Sequence, residues 1–402
     1  MPDFRLPNAR AGENYTTSLN SVLTNLGSVS FLDIHVPDNL GLSADLAAGT
    51  LSGSPASAGD FEISLVYYKI TEVPAREYTA KLSLLVVPNP KSLWKNLPSD
   101  SNAIYWRTDE ACSSLSTENI SVLASSKRGR SHAHVGSFRD DDYQHALVND
   151  WVITVVADGA GSAKYSRRGA QLICEAAVHN LSQGLVDDSA LVEAVTFFQQ
   201  AQSEKASSLD AAQQNLQSIL AGKLGSAARS AEQAIQQELA LHSNLQAEYK
   251  DFSSTALIAI CKQFSFGTLC AAFAVGDGAI AVYQQGHAVT LLGSADSGEF
   301  AGQTRFLDAQ SVADSAIAAR TRFVLVEDLT ALLLVSDGVS DPWFETDAQL
   351  ASINKWDAFW SELIAADAIA TEEKLLAWLD FWSSGNHDDR TIVLVRSSKS
   401  LS

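Results

Sequence analysis

Four aspartates stand at the edges of apolar runs. Asp158 follows TVVA, Asp337 follows LLLVS, and the doublet Asp388 and Asp389 comes just before TIVLV. A further acidic run, Asp140 to Asp142, precedes Tyr143. An apolar strand that ends on a carboxylate is a stiff mount for an oxygen ligand. Carboxylates gathered together repel by about 4 kcal/mol per pair at roughly 4 Å and an effective dielectric near 20. A cation must offset that charge, or the pKa values must rise. Oxygen-only ligands suit hard Mg²⁺ or Mn²⁺ better than zinc. Glycines beside two of the aspartates, Gly159 and Gly338, permit close backbone approach. A single Asp-Gly, such as Asp277–Gly278, reads as a turn after a strand; the ordered set asks for more.

The elements that must carry these residues begin near residue 121. WVITVVADGAGS, STALIAICKQ, TLCAAFAVGDG, TALLLVSDG and RTIVLVRS are apolar runs of strand length. Such runs suit a sheet covered on both faces. Between Gly169 and Tyr249 the chain is rich in Ala, Gln, Glu and Leu and has no proline, which favours helix. A second helical block is expected over Asp347 to Ser383, with Leu375, Leu376, Trp378, Leu379 and Trp382 at helical spacing and Gly385 as a stop. Strands interrupted by helical blocks imply an α+β layered domain.

The first ninety residues read differently. In SVSFLDIHV, Leu32, Ile34 and Val36 alternate with Asp33 and His35; DFEISLVYY and YTAKLSLLVV alternate in the same way. Gly49, Gly53, Pro55 and Gly59 mark turns between them. This is a small all-β sandwich, residues 1–88. Prolines in VPNPK end its last strand. Residues 89–120 read as a linker or packing segment, and 121–398 as the second domain.

Of the 402 residues, 46% are hydrophobic and 19% charged, the balance of a foldable globular chain. The formal charge of −19 argues against nucleic-acid or anionic-membrane binding, which need a positive field. No apolar stretch of about 18 residues predicts a membrane span, and MPDFRLPNARAGENYTT lacks the apolar centre of a secretory signal. Cys112, Cys174, Cys261 and Cys270 form no CxxC pair, so reduced thiols are expected. The expected setting is the cytoplasm.

The ordered acidic motifs resemble the metal-dependent Ser/Thr phosphatases of the protein phosphatase 2C family, in particular its divergent bacterial branch. RDDDY at 139–143 sits where the family has Asn-Glu-Asp-Ala, and VVADGAGS stands for its Asp-Gly-His-Gly-Gly signature. SSTALIAI, AVGDG, LLLVSDGVSD and HDDRTIVLV match its later elements, so the resemblance spans roughly residues 125 to 397. It implies a four-layer α/β/β/α sandwich. It also implies two bound Mg²⁺ or Mn²⁺ ions, with Asp158 bridging them and the Gly159 carbonyl facing one. Asp337 and Asp388 would complete one ion's ligands, Asp388 being preferred to Asp389 because it lies three residues before Thr391. Asp141 takes the position of the second ion's glutamate, Asp142 that of a water-orienting aspartate, and Asp341 that of a ligand to a third, weaker ion. Asp277 is read as a turn residue. The implied partners are a phosphorylated protein and a cognate Ser/Thr kinase, signalling partners rather than nucleic acid or membrane.

Upstream, VPDNLGLSADLAAGTLSGSPASAGDFEISL resembles bacterial immunoglobulin-like repeats, which space or dock.

The match has three departures. The histidine after Asp-Gly is Ala160, the glutamate is Asp141, and the phosphate-clamping arginine falls on Ser137. Arg130 or Arg139 is the candidate replacement, a guanidinium being suited to phosphate. His132 and His134, in SHAHVG, stand at strand spacing and would face one side. His134 is the candidate general acid. The pair could bind zinc, but no third nitrogen or sulfur ligand lies nearby. His387 is read as supporting or solvated. Lys164, Arg167 and Arg168 would form a basic rim or a solvated helix face. Three functions stay open: a protein phosphatase, a pseudophosphatase that binds phosphoproteins, and a phosphatase of small monoesters.

Overall fold

The computed structural model describes residues 2–117, 119–293 and 304–397. The chain divides into two compact units, residues 1–95 and 96–402.

In the first unit the strands are β1 (Asp3–Arg5), β2 (Ala9–Arg10), β3 (Tyr15–Ser18), β4 (Val29–His35), β5 (Leu42–Asp45), β6 (Thr50–Gly53), β7 (Gly59–Lys69) and β8 (Glu77–Val87), with a one-turn helix α1 (Leu19–Val22). They form two sheets, β1-β8-β7-β4 with β2 also on β8, and β3-β6-β5. β7 and β8 pair antiparallel from Gly59 opposite Val86 to Tyr68 opposite Glu77. Alternation then sends Ile63 and Leu65, with Leu82, Leu84 and Val86, into one core with Leu19, Leu40 and Leu51. β4 departs from the expected pattern. Its register shifts between Phe31 and Asp33, which leaves Leu32 43% exposed, while Phe31 and Ile34 pack on the core. One extra residue in a strand reverses which side chains face inward.

In the second unit the elements run β9 (Glu110–Ser116), β10 (Ile120–Lys127), α2 (Arg130–Val135), β11 (Asp142–Val148), β12 (Trp151–Ala157), α3 (Ser166–Gly184), α4 (Ser189–Ser203), α5 (Leu209–Leu241), β13 (Ala256–Phe264), β14 (Gly267–Val275), β15 (Ala279–Gln284), β16 (Ala288–Leu291), α6 (Asp314–Arg320), β17 (Thr321–Val326), β18 (Ala331–Val335), α7 (Asp337–Trp343), α8 (Asp347–Leu350), α9 (Ile353–Ala365), α10 (Glu372–Trp378) and β19 (Arg390–Ser397). Among the described residues they make two antiparallel sheets, β16-β15-β18-β19-β10-β9 and β11-β12-β13-β14-β17. Within residues 89–120, read from sequence as a linker or packing segment, Glu110–Ser116 forms β9 at the edge of the first of these.

Three cores explain the apolar strands. Val152, Val156, Leu257, Ala259, Val393 and Val395 lie between the sheets. Ile153, Val155, Ile258 and Ile260 face α3, α4 and α5, which contribute Ile173, Val195 and Leu220. Leu333, Ile392 and Leu394 face Trp356, Phe359 and Trp378 of α9 and α10. Central strands therefore need apolar side chains on both faces, although their neighbours are antiparallel. Trp382, expected at helical spacing, lies beyond α10, and its ring stacks under the Arg130 guanidinium at 5.4 Å. No described helix is long and apolar enough to cross a membrane. The cysteines are free thiols, three buried and Cys112 half-buried.

Candidate active site

With both strand faces occupied by apolar packing, polar chemistry is confined to strand ends. β18 and β19 are antiparallel neighbours, with Val335 opposite Ile392, so the residues after one and before the other share an end of the sheet. Asp337 opens α7 there, and Asp388 precedes β19. Ser336 and Thr391 lock the junction: the Ser336 N–H donates to the Thr391 carbonyl, and the Thr391 N–H donates to Ser336 Oγ, each at 3.0 Å. Close packing needs glycine here. A Cβ on Gly338 would fall 1.9 Å from the Asp389 carbonyl oxygen.

The other sheet delivers its carboxylates to the same place. Asp158 follows β12, and its backbone is gripped by β13's lead-in: its N–H donates to Thr255 Oγ1 at 2.9 Å, and its carbonyl accepts from Ser254 Oγ at 2.7 Å and the Thr255 N–H at 2.8 Å. Asp141 is fully buried beside the start of β11, and its Oδ2 accepts from Thr391 Oγ1 at 2.7 Å, a bond between the two sheets.

Electrostatics show the convergence. Burial, then the charges of Asp141, Asp337 and Asp388, pushes Asp158 well above the usual carboxylate range. Burial and the charge of Asp389, followed by that of Asp337, push Asp141 up in the same way. Asp337 is raised to about 7 by burial and by the charges of Asp388, Asp277 and Asp341. Asp388, whose side chain is half exposed, and Asp341 are raised as well, by partial desolvation and by neighbouring carboxylates, Asp389 for the one and Asp277 for the other. Oδ1 of Asp140, of Asp141 and of Asp337 are each buried without a hydrogen-bond partner. The unpartnered oxygens of Asp141 and Asp337 fit a divalent cation, which would supply the missing partner and remove the repulsion; among the described residues, His132, Asp388 and Asp389 are the group whose ligand atoms lie within 4.8 Å of one another. Asp277, read as a turn residue, faces this cluster. It accepts a hydrogen bond from Thr304 Oγ1 and lines a cavity of about 410 Å³ with Ser340 and Asp341.

Several expected residues sit elsewhere. SHAHV is helix α2, not a strand, so His132 and His134 do not share a face; two residues are about 200° of helical turn. His132 is the histidine in the cluster, its Nδ1 3.0 Å from Asp389 Oδ1 and its Nε2 3.9 Å from Asp388 Oδ1. Burial works against its charge, but the bond to Asp389 and the charges of Asp389, Asp140 and Asp388 outweigh it and raise its pKa to about 10. Asp389 is 2% exposed and also accepts from the Gly129 and Asp140 N–H groups. Its place as the second aspartate of the HDD triplet was the available signal for this role.

Neither arginine offered for phosphate is placed to hold one. Arg139 is 1% exposed and donates to the carbonyls of Thr108 and Asp141 and to Ser126 Oγ. Arg130 donates to the carbonyls of Phe381 and Asp380 and pairs with the Asp380 carboxylate at 2.8 Å. Asp142, expected to orient water, is buried in an ion pair with Arg107 at 2.5 Å. Of the expected basic rim only Lys164 is exposed, over the Tyr165 ring. Arg167 is buried against the carbonyls of Ile104 and Tyr105, and Arg168 pairs with Glu238. Sequence displays these charges but not the carbonyls and carboxylates that absorb them.

A family model described as protein phosphatase 2C matches residues 128–380. No curated protein matches the chain. Among solved structures the chain is similar to RsbX in complex with magnesium, at 12% identity and a TM-score of 0.35, covering 72% of this chain and 100% of that one. It is similar to the catalytic domain of the serine threonine protein phosphatase PstP in complex with two manganese ions, at 16% identity and a TM-score of 0.38, covering 69% and 98%. A third similar structure is the phosphatase domain, with a regulatory fragment, of SpoIIE from Bacillus subtilis, at 12% identity and a TM-score of 0.37, covering 85% and 79%. With more than half of its length matched by the family model, the chain belongs to the protein phosphatase 2C family.

Proposed function

We propose that this chain is a metal-dependent phosphatase that hydrolyses phosphoserine and phosphothreonine in proteins. The observation that carries the reading is that the two sheets bring Asp141, Asp158, Asp337 and Asp388 to one end, where Thr391 bridges to Asp141 and Oδ1 of Asp141 and of Asp337 are buried without a partner. Without a cation that arrangement only destabilises the fold. Bound Mg²⁺ or Mn²⁺ supplies acidified water and neutralises charge developing on phosphorus. In this reading Asp158, the Gly159 carbonyl, Asp337, Asp388 and Asp141 would hold the ions, and Asp341 and Asp277 would border a further one. Thr391 fixes the Asp141 rotamer, and the grip of Ser254 and Thr255 on the Asp158 backbone aims its carboxylate. Phosphoryl transfer asks for this kind of positioning and charge compensation. The first unit, taken as an immunoglobulin-like module, recruits or spaces, and a Ser/Thr kinase supplies the phosphorylated protein.

A pseudophosphatase is the second reading, favoured by Ala160 and Ser137 in place of a histidine and an arginine. Assays of p-nitrophenyl phosphate and of phosphopeptides with Mg²⁺ and Mn²⁺ separate the two. Turnover that requires metal and is lost in Asp158→Asn supports the enzyme. Bound metal in a folded protein without turnover supports the binding module, and a preference for small esters over phosphopeptides would reassign the substrate.

A further inference from the structure

We propose that His132 is a metal ligand: its Nε2 and Asp388 share a divalent cation, and Asp389 is the positioning residue that aims the ring. This rests on the phosphatase reading above. It makes the metal centre partly nitrogen-liganded, which biases it toward transition metals and away from Mg²⁺. The fold takes one histidine of SHAHVG and sets it against the HDD triplet, so that one ligand atom from each of His132, Asp388 and Asp389 lies within 4.8 Å of the others.

The ring is held by its other nitrogen. Nδ1 lies 3.0 Å from Asp389 Oδ1, and Asp389 also accepts from the Gly129 and Asp140 N–H groups. A carboxylate so engaged is an acceptor, so Nδ1 carries hydrogen and Nε2 is the nitrogen left to ligate. A metal-bound imidazole characteristically donates its second N–H to a carboxylate in this way, which fixes the tautomer and the ring plane. Asp389 is itself buried, and the helix that carries His132 is anchored, because the Ser131 N–H and Oγ both donate to the His387 carbonyl, at 3.0 and 2.8 Å.

On its free side, Nε2 lies 3.9 Å from Asp388 Oδ1. That is too long for a hydrogen bond. Two donors that each stand about 2.1 Å from one ion are at most about 4.2 Å apart, so the gap fits an ion between them. Asp388 Oδ1 accepts the Asp389 N–H at 2.8 Å, which fixes this carboxylate and leaves it lone pairs to spare. Gly161 leaves room beside the ring: a Cβ there would stand 3.8 Å from Nε2. The Asp388 side chain is half exposed, which gives an ion and its waters a way in. Nε2 gives up any proton it carries when the ion binds. The charge of Asp388 also acts on Asp158 and Asp337, so this ion would border the acidic cluster.

The test adds Mn²⁺ alone to the metal-free, full-length chain and reads electron spin-echo envelope modulation, which detects nitrogen bound to the ion. The wild-type protein should show imidazole nitrogen modulation that changes on ¹⁵N-histidine labelling. His132→Gln should abolish it, and His134→Gln, on the same helix, should leave it in place. By calorimetry, His132→Gln should weaken one Mn²⁺ site by about tenfold and Mg²⁺ by less, and Asp389→Asn should weaken the same Mn²⁺ site by about tenfold. Among the described residues His132 is the histidine in a group able to hold an ion, so the wild-type spectrum still decides if a variant fails to fold. Bound Mn²⁺ without nitrogen modulation, or modulation that His132→Gln leaves unaltered, would overturn the ligand role and leave the phosphatase reading in place. A wild-type protein that binds no Mn²⁺ would overturn both.

Discussion

The two units of this chain treat carboxylates in opposite ways. In the first, Asp33, Asp38, Asp45 and Asp60 are exposed, and Thr17 is its one buried polar residue among those described. In the second, Asp140, Asp141, Asp142 and Asp389 are at least nine-tenths buried, and Asp158 and Asp337 crowd beside them. The sheets differ in step. β7 alternates buried and half-exposed residues, whereas β12 and β14 are buried throughout. A sheet with one wet face can shed charge anywhere along a strand. A sheet covered on both faces can place it only at the ends, and there the carboxylates meet.

That contrast is sharpest in function. Asp158→Asn should abolish metal-dependent turnover, by about 10³-fold or more, while circular dichroism stays unchanged. Asp60→Asn in the first unit should leave turnover as it was and shift stability by no more than about 0.5 kcal/mol. Comparable losses from both would erase the distinction.

Packing gives the next effect. Gly338→Ala puts a methyl against the Asp389 carbonyl and should cost about 3 kcal/mol in urea unfolding. An unchanged midpoint would show that the α7 junction is looser than described.

The acids themselves predict a pH dependence. Their folded-state pKa values lie above those of the unfolded chain, so the folded state retains protons that the unfolded chain has released. The metal-free protein should therefore lose stability as pH rises from about 4 to about 7, the value to which Asp337 is raised. Asp337→Asn should flatten the slope. Mg²⁺ at about 100 times its Kd should restore about 2.7 kcal/mol at neutral pH. Melting temperatures against pH, with and without metal, check this. A metal-free protein most stable at neutral pH would contradict it.

The smallest effect should come from removing residues 1–95, which leaves a compact unit. Turnover of p-nitrophenyl phosphate should stay within about twofold. A large loss would mean that the first unit contributes to the reaction.

Legibility in the sequence follows the same physics. The strands carrying Asp158 and Asp337 were readable because apolar runs of strand length ended on Asp-Gly, and β7 and β8 because they alternate. Leu32 was misplaced because a bulge leaves no compositional mark. α2 was misread because six residues are too few for periodicity; its trace was Gly136, which ends the helix at φ 73°. Arg139 and Arg167 looked free because their partners are backbone carbonyls from distant segments. Asp389 was passed over because the neighbouring aspartate fitted the motif, and only the fold shows the first of the doublet at the acidic cluster and the second beneath His132.

The most direct test is Mn²⁺ binding to the metal-free protein at neutral pH, followed by calorimetry and by electron paramagnetic resonance. The account predicts at least two ions per chain, two of them close enough to couple magnetically, with the coupling lost in Asp158→Asn. Binding of no ion, or binding that Asp158→Asn leaves unaltered, would contradict it.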